Sequence, residues 1–152
     1  MKEIYFQVLL AEFKKQFQNI NSIKTKISTL KPTNEDKLIN LAYTIHNFYC
    51  SVEDLLKIIA SYFENQIKSA DQFHKELLRK MTLTIDTIRP NVINNESYIL
   101  LLEILSFRHI FRHAYNYNLQ GDKVVDLQKK IISGWENLSK DLLLFQKFIE
   151  SK

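Results

Sequence analysis

Apolar side chains recur every three or four positions along most of this chain. The first run of them is Phe6, Leu9, Phe13, Phe17, Ile20, Ile23 or Ile27, and Leu30. This spacing is typical of the buried face of an amphipathic helix. It predicts a first helix over about residues 2–30, and Pro32 is expected to end it.

The same spacing predicts two more long helices. The second carries Leu38, Leu41, Ile45, Phe48, Val52, Leu55, Ile59, Tyr62 and Phe63, and the last carries Val124, Leu127, Ile131, Trp135, Leu138, Leu142, Phe145 and Ile149. Thr33 or Asn34 can cap the second helix, which should pack antiparallel to the first. Asp122 is expected to cap the last helix, after a connection in which Gly121 suits a left-handed backbone position.

Two helices are predicted between these. A third should begin near Ser69 and end before Pro90, with an apolar face made of Phe73, Leu77, Met81, Ile85 and Ile88. A fourth should begin at Asn94 or Asn95 and continue to about Tyr115. The pattern therefore predicts an all-α, up-and-down bundle of about five helices that forms a single domain over residues 1–152.

The predicted fourth helix is apolar nearly all round between Tyr98 and Phe107. Such a helix must be covered on more than one side. Either it lies at the centre of a monomer, or one side meets the bundle and another meets a second copy of the chain in a two-fold dimer.

Composition agrees with a helical globular domain. The 152 residues include two glycines and two prolines, which argues against turn-rich β structure. The longest purely apolar run, Tyr98 to Leu102, is far shorter than the roughly 20 residues that span a bilayer, and a cytoplasmic protein is expected. Cys50 is the sole cysteine and is expected to be a reduced core thiol. The net charge of +4 would help the protein approach a polyanion without identifying one.

Reactive side chains are concentrated directly after the apolar helix, between Phe107 and Tyr117. His109 and His113 are four residues apart and could face one metal ion, although no third ligand lies nearby at helical spacing. The cluster could also be a polar helix end whose cations interact with the helix dipole. The other two histidines, His46 and His74, are expected to be structural or surface residues.

A third interpretation comes from a family resemblance. Arg108 and His113 are separated by four residues, and Tyr115 follows two residues after the histidine. An Arg, four to six residues and a His late in a helical bundle resemble the HEPN superfamily of ribonucleases, and the added tyrosine resembles the Arg-x4-His-x-Tyr motif of HepT toxins. His109 departs from the asparagine often found beside the arginine in these toxins.

The resemblance implies a HEPN-like fold and a metal-independent endoribonuclease toxin of a type VII-like HEPN/MNT toxin–antitoxin module, with no cofactor. RNA supplies its own nucleophile, the 2′-hydroxyl, so cleavage requires proton transfer and a cation that stabilises the phosphorane. Arg108 is the candidate for phosphate binding and transition-state stabilisation, and His113 for acid–base transfer. His109 and Arg112 are candidates for RNA contact or support of the site.

Arg108 and His113 do not share a face of a straight helix, because five residues turn it by about 500°, or about 140° beyond one full turn. A homodimer in which both motifs line one cleft would resolve this, as the resemblance implies. The resemblance also implies a partner, an MNT-type nucleotidyltransferase antitoxin that transfers AMP to Tyr115. Tyr117 is the nearest competing acceptor. The alternative is a non-catalytic helical binding module, or a partner subunit of a nucleotidyltransferase.

Overall fold

The computed structural model describes residues 2–64, 73–113 and 121–152, and the side chains of all of these except residues 2 and 109–113. The described residues form five helices: α1 (Lys2–Thr29), α2 (Glu35–Phe63), α3 (Phe73–Met81), α4 (Asn95–His113) and α5 (Gly121–Glu150). The predicted all-α helical bundle is therefore confirmed. No helix in this described part combines the length and the apolar character that crossing a bilayer requires.

The first two helices form an antiparallel pair, as the sequence predicts. Asn34 caps α2, and its side chain accepts a hydrogen bond from the backbone N–H of Lys37 at 2.9 Å. Tyr5 near the start of α1 donates to the carbonyl of Tyr62 near the end of α2, and Gln16 donates to the carbonyl of Ser51. Because the start of α1 contacts the end of α2 and later residues of α1 contact earlier residues of α2, the two helices are antiparallel.

The last helix packs antiparallel to both α1 and α4. Gln128 in the first part of α5 donates to the carbonyls of Ile27 and Leu30 at the end of α1, at 2.9 and 2.7 Å. Against α4 the approach is close, since a Cβ added to Gly134 would lie 2.9 Å from a Leu100 methyl. Glycine at this position lets the two helices pack at short range.

The start of α5 differs from the prediction in two details. Gly121 is the first residue of the helix and does not have a positive φ angle. Asp122 therefore lies inside the first turn and not at the capping position. In the first turn its carboxylate still interacts favourably with the positive end of the helix dipole.

Trp135 on α5 lies where three helices meet. Its ring makes edge contacts with Phe17 of α1 at 6.4 Å and with Phe48 of α2 at 6.1 Å between centroids. The ammonium group of Lys24 lies 6.0 Å from the same ring. One aromatic side chain thus joins α1, α2 and α5.

The predicted third helix is wrong beyond Met81, and its predicted start near Ser69 lies outside the described residues. The chain turns sharply after α3, with an isolated bridge between Ile85 and Arg89 and a positive φ of 67° at Thr87. The buried Arg89 side chain donates to the carbonyl of Lys80 in the last turn of α3 and to that of Leu83 just beyond it. The carbonyl of Met81, the last residue of the helix, accepts from the backbone N–H groups of Val92 and Ile93. The returning chain thus supplies donors to the carbonyls at the end of α3.

The fourth helix begins where the sequence predicts, and its end as predicted, about Tyr115, lies outside the described residues. Asn94 is its cap and accepts from the backbone N–H of Ser97 at 3.1 Å. Leu101, Ile104 and Phe107 are buried against the bundle, whereas Ile99 is 49% exposed. Within the described residues, α4 is therefore not covered on every side, in contrast to a fully buried central helix.

Candidate functional site

Three helices bring polar side chains together near the end of α4. Tyr49 and Glu53 belong to α2, His74 to α3 and Arg108 to α4. Tyr49 Oη donates to Glu53 Oε2 at 2.8 Å, and His74 Nδ1 lies 2.6 Å from the same oxygen. Arg108 Nη1 lies 3.1 Å from His74 Nε2. We call Glu53, His74 and Arg108 the polar triplet.

The guanidinium of Arg108 lies over the face of the His74 ring. Its Nη1 is almost equally far from both ring nitrogens, 3.1 Å from Nε2 and 3.4 Å from Nδ1. A donor in the ring plane could not be this close to both nitrogens, so Nη1 lies above the ring with its N–H directed at it. A cationic N–H that points at an aromatic ring is a favourable contact.

The carboxylate of Glu53 is buried, with 6% of its side chain exposed. A buried carboxylate is costly unless its oxygens accept hydrogen bonds or meet cations. Here the hydroxyl of Tyr49 and the ring of His74 both contact Oε2, and Lys57 Nζ lies 3.6 Å from Oε1. Because an ionised carboxylate only accepts, His74 presents a protonated Nδ1 to it.

Two neighbouring groups on α2 respond to this environment. Burial, followed by the negative charge of Glu53, raises the pKa of Tyr49, which keeps the hydroxyl protonated and able to donate. Burial also raises the pKa of the Cys50 thiol, while the positive charge of Arg108 partly opposes this effect. Cys50 is half-buried, and its Sγ lies 3.6 Å from Nε2 of His46 on the same helix.

Arg108 is the predicted site residue whose side chain the structure describes. It is half-buried, and its Nε is a buried donor without a hydrogen-bond partner among the described residues. His109, Arg112 and His113 belong to α4, but their side chains lie outside the described part. Their roles stay predictions.

The proposed acceptor Tyr115 and the competing Tyr117 lie outside the described residues. Among the residues that the structure does describe, no three His, Cys, Asp or Glu side chains form a group that could hold a metal ion. The alternative of a metal between His109 and His113 concerns side chains outside this set.

Sequence reasoning expected His74 to be a structural or surface residue and did not predict its contact with Arg108. Its side chain is 33% exposed and lies in contact with Arg108. A signal for it was present in α2, where Glu53 adjoins Val52 of the apolar stripe. A carboxylate at the edge of a buried face requires a partner from another element, and histidine is one of the residue types that can supply it.

A family model described as HepT-like protein matches residues 40–149, which is more than half of the chain. The matched range begins inside α2 and extends through most of α5, so it includes the polar triplet and the segment from Arg108 to Tyr117. No curated protein and no solved structure matches the chain.

Proposed function

The chain belongs to the HepT-like protein family, within the HEPN superfamily, and on this basis we propose that it is a metal-independent endoribonuclease. In the cell it would act as the toxin of an HEPN/MNT toxin–antitoxin pair. The observation that carries the proposal is the position of Arg108, in contact with His74 and five residues before His113 on α4.

The proposed reaction uses the 2′-hydroxyl of RNA as the nucleophile. Its oxygen attacks the adjacent phosphorus, the bond from phosphorus to the 5′-oxygen breaks, and the products carry a 2′,3′-cyclic phosphate and a 5′-hydroxyl. His113 would take the hydroxyl proton or supply a proton to the departing 5′-oxygen. Arg108 would hold the phosphate oxygens through its planar fork and stabilise the negative charge of the phosphorane.

A second copy of the chain would complete this site. Along one straight helix, Arg108 and His113 differ by about 140° in direction and about 7.5 Å in height. Two copies related by a two-fold axis would place both motifs in one cleft. The half-exposed Ile99 on α4 is an apolar contact that such a dimer could cover.

The first test is RNA cleavage by the purified protein in EDTA. We expect the wild type to cleave and to sediment as a dimer, and we expect His113→Ala and Arg108→Ala to lose about a hundredfold or more in rate. Arg79→Ala is the matched control, since this arginine is 53% exposed on α3 and pairs only with Glu76 among the described residues. Unchanged cleavage in His113→Ala would contradict the proposal.

Absence of cleavage by the wild type would instead favour the alternative of a non-catalytic binding module. Expression in a host gives the same distinction. Growth arrest that depends on Arg108 and His113 supports a toxin, whereas harmless expression of the folded protein supports a module.

We further propose that an MNT-type nucleotidyltransferase neutralises the toxin at Tyr115. The phenolic oxygen would attack the α-phosphorus of ATP, lose its proton and release pyrophosphate. The added phosphate would lie seven residues after Arg108, close enough in sequence to compete with RNA for its guanidinium.

The test is mass spectrometry after incubation with that enzyme and ATP. We expect AMP on Tyr115, its loss in Tyr115→Phe, and reduced RNA cleavage by the modified wild type. AMP on Tyr117 with Tyr115 unmodified would refute this choice of acceptor.

A further inference from the structure

The proposed role of Arg108 requires a contact that holds its guanidinium in one position. A long arginine side chain loses much of its rotamer entropy when it is held in one conformation. A guanidinium that is already placed before RNA arrives avoids most of that loss during the reaction. The structure contains a residue that makes such a contact on α3, outside the Arg-x4-His-x-Tyr segment.

The residue that makes this contact is His74, through the face of its ring. Contact between Nη1–H and the ring restrains the Arg108 guanidinium at one of its two terminal nitrogens. Within the described residues, Arg108 Nη2 has no hydrogen-bond partner. In the proposed reaction, Nη2 would bind the phosphate while Nη1 stays in contact with the ring.

The His74 ring is itself held from α2. Its Nδ1 lies 2.6 Å from Glu53 Oε2, and the Tyr49 hydroxyl contacts the same oxygen from within the core. With Nδ1 directed at Glu53, the ring presents Nε2 and its face to the guanidinium. Glu53 on α2 thus contacts His74 on α3, and His74 contacts Arg108 on α4.

From these contacts we propose that His74, oriented by Glu53, is the positioning residue for Arg108. The proposal rests on the proposed ribonuclease function for its catalytic consequence. Its structural part, that the ring holds the guanidinium, stands independently. The test therefore needs one readout of the arginine and one of RNA cleavage.

The kinetic test compares two apolar replacements. His74→Leu removes the ring, and His74→Phe restores an aromatic face, while both lose the hydrogen bond to Glu53. We expect kcat to fall about tenfold to a hundredfold in His74→Leu, with a smaller change in KM, and to recover partly in His74→Phe. Lys75→Ala, at the exposed neighbouring position, is the control that should match the wild type.

The second readout is the Nε–H resonance of Arg108 in nitrogen-15 NMR spectra, identified by its absence in Arg108→Lys. Because Nε is buried, its proton should exchange slowly with solvent in the wild type. We expect faster exchange in His74→Leu and slow exchange in His74→Phe. This measurement does not depend on enzymatic activity.

The outcomes separate the two proposals. If the wild type cleaves RNA and His113→Ala does not, equal kcat in His74→Leu and His74→Phe overturns the positioning role and leaves the ribonuclease intact. If the wild type does not cleave RNA, the function falls, and unchanged exchange at Arg108 Nε in His74→Leu overturns the structural part as well.

Discussion

Cys50 is a natural reporter of the charge on Arg108. The thiol lies on α2, next to Tyr49 and three residues before Glu53 of the polar triplet, and it is half-buried. Burial raises its pKa, and Arg108 lowers it. Since the chain has a single cysteine, any thiol reactivity measured on the protein belongs to this residue.

We predict that Arg108→Ala raises the pKa of Cys50 further. Removing a nearby positive charge disfavours the thiolate, so a higher pH is needed to form it. The measurement is the rate of iodoacetamide alkylation against pH, whose midpoint should move upward in the variant. Arg79→Ala should leave the midpoint unchanged, and a downward shift in Arg108→Ala would contradict the prediction.

At the scale of single residues, the sequence motif pointed to Arg108, whose catalytic role stays a prediction, and did not point to the contact of Arg108 with His74. Arg108 belongs to a short motif with fixed spacing, which is readable along one helix. His74 lies 34 positions earlier, on another helix, and meets Arg108 through a contact between two elements. Linear spacing carries no information about such a contact, and the flanking Lys75 and Glu76 resemble any solvated helix face.

The start of α4 is secured by α5. Asp141 Oδ2 accepts from the backbone N–H of Asn94 at 2.9 Å and from the hydroxyl of Ser97 at 2.7 Å. Asn137 donates to the side-chain oxygens of both of these residues. One buried carboxylate and one amide on α5 thus hold the capping turn of the helix that carries Arg108.

We predict that Asp141→Ala lowers the free energy of unfolding by about 2–3 kcal/mol, because it removes charge-assisted hydrogen bonds and leaves buried donors unpaired. Urea unfolding followed by circular dichroism measures the change. Asp126→Ala is the control on the same helix, since its side chain is 59% exposed in a surface ion pair worth less than about 1 kcal/mol. Equal losses in both variants would contradict the buried role of Asp141.

At the scale of elements, apolar periodicity predicted four helices closely and extended the third too far. The long helices have continuous stripes, and Pro32 and Asn34 mark the boundary between α1 and α2. Beyond Met81 the stripe continues through Ile85 and Ile88, yet Ile88 is 45% exposed. At the end of α3, Arg89 donates to the carbonyl of Lys80 in the last turn and to that of Leu83 just beyond it. This hydrogen-bond donor comes from a later part of the chain and meets the helix end only in the folded protein.

At the scale of the whole molecule, the number of helices and the all-α class follow from the sequence, whereas the meeting of α2, α3 and α4 at one site does not. Stripes show which face of each helix is buried but not which helices share the contact. The need to cover α4 was readable from its composition. The exposed side chain of Ile99 marks the side of α4 that a second copy of the chain would have to contact.

The junction at Trp135 gives the molecule an intrinsic optical probe. The chain has one tryptophan, and it contacts side chains of α1 and α2 from its position on α5. Its fluorescence therefore reports the separation of any of these three helices from the others through a single emission band, without an added label.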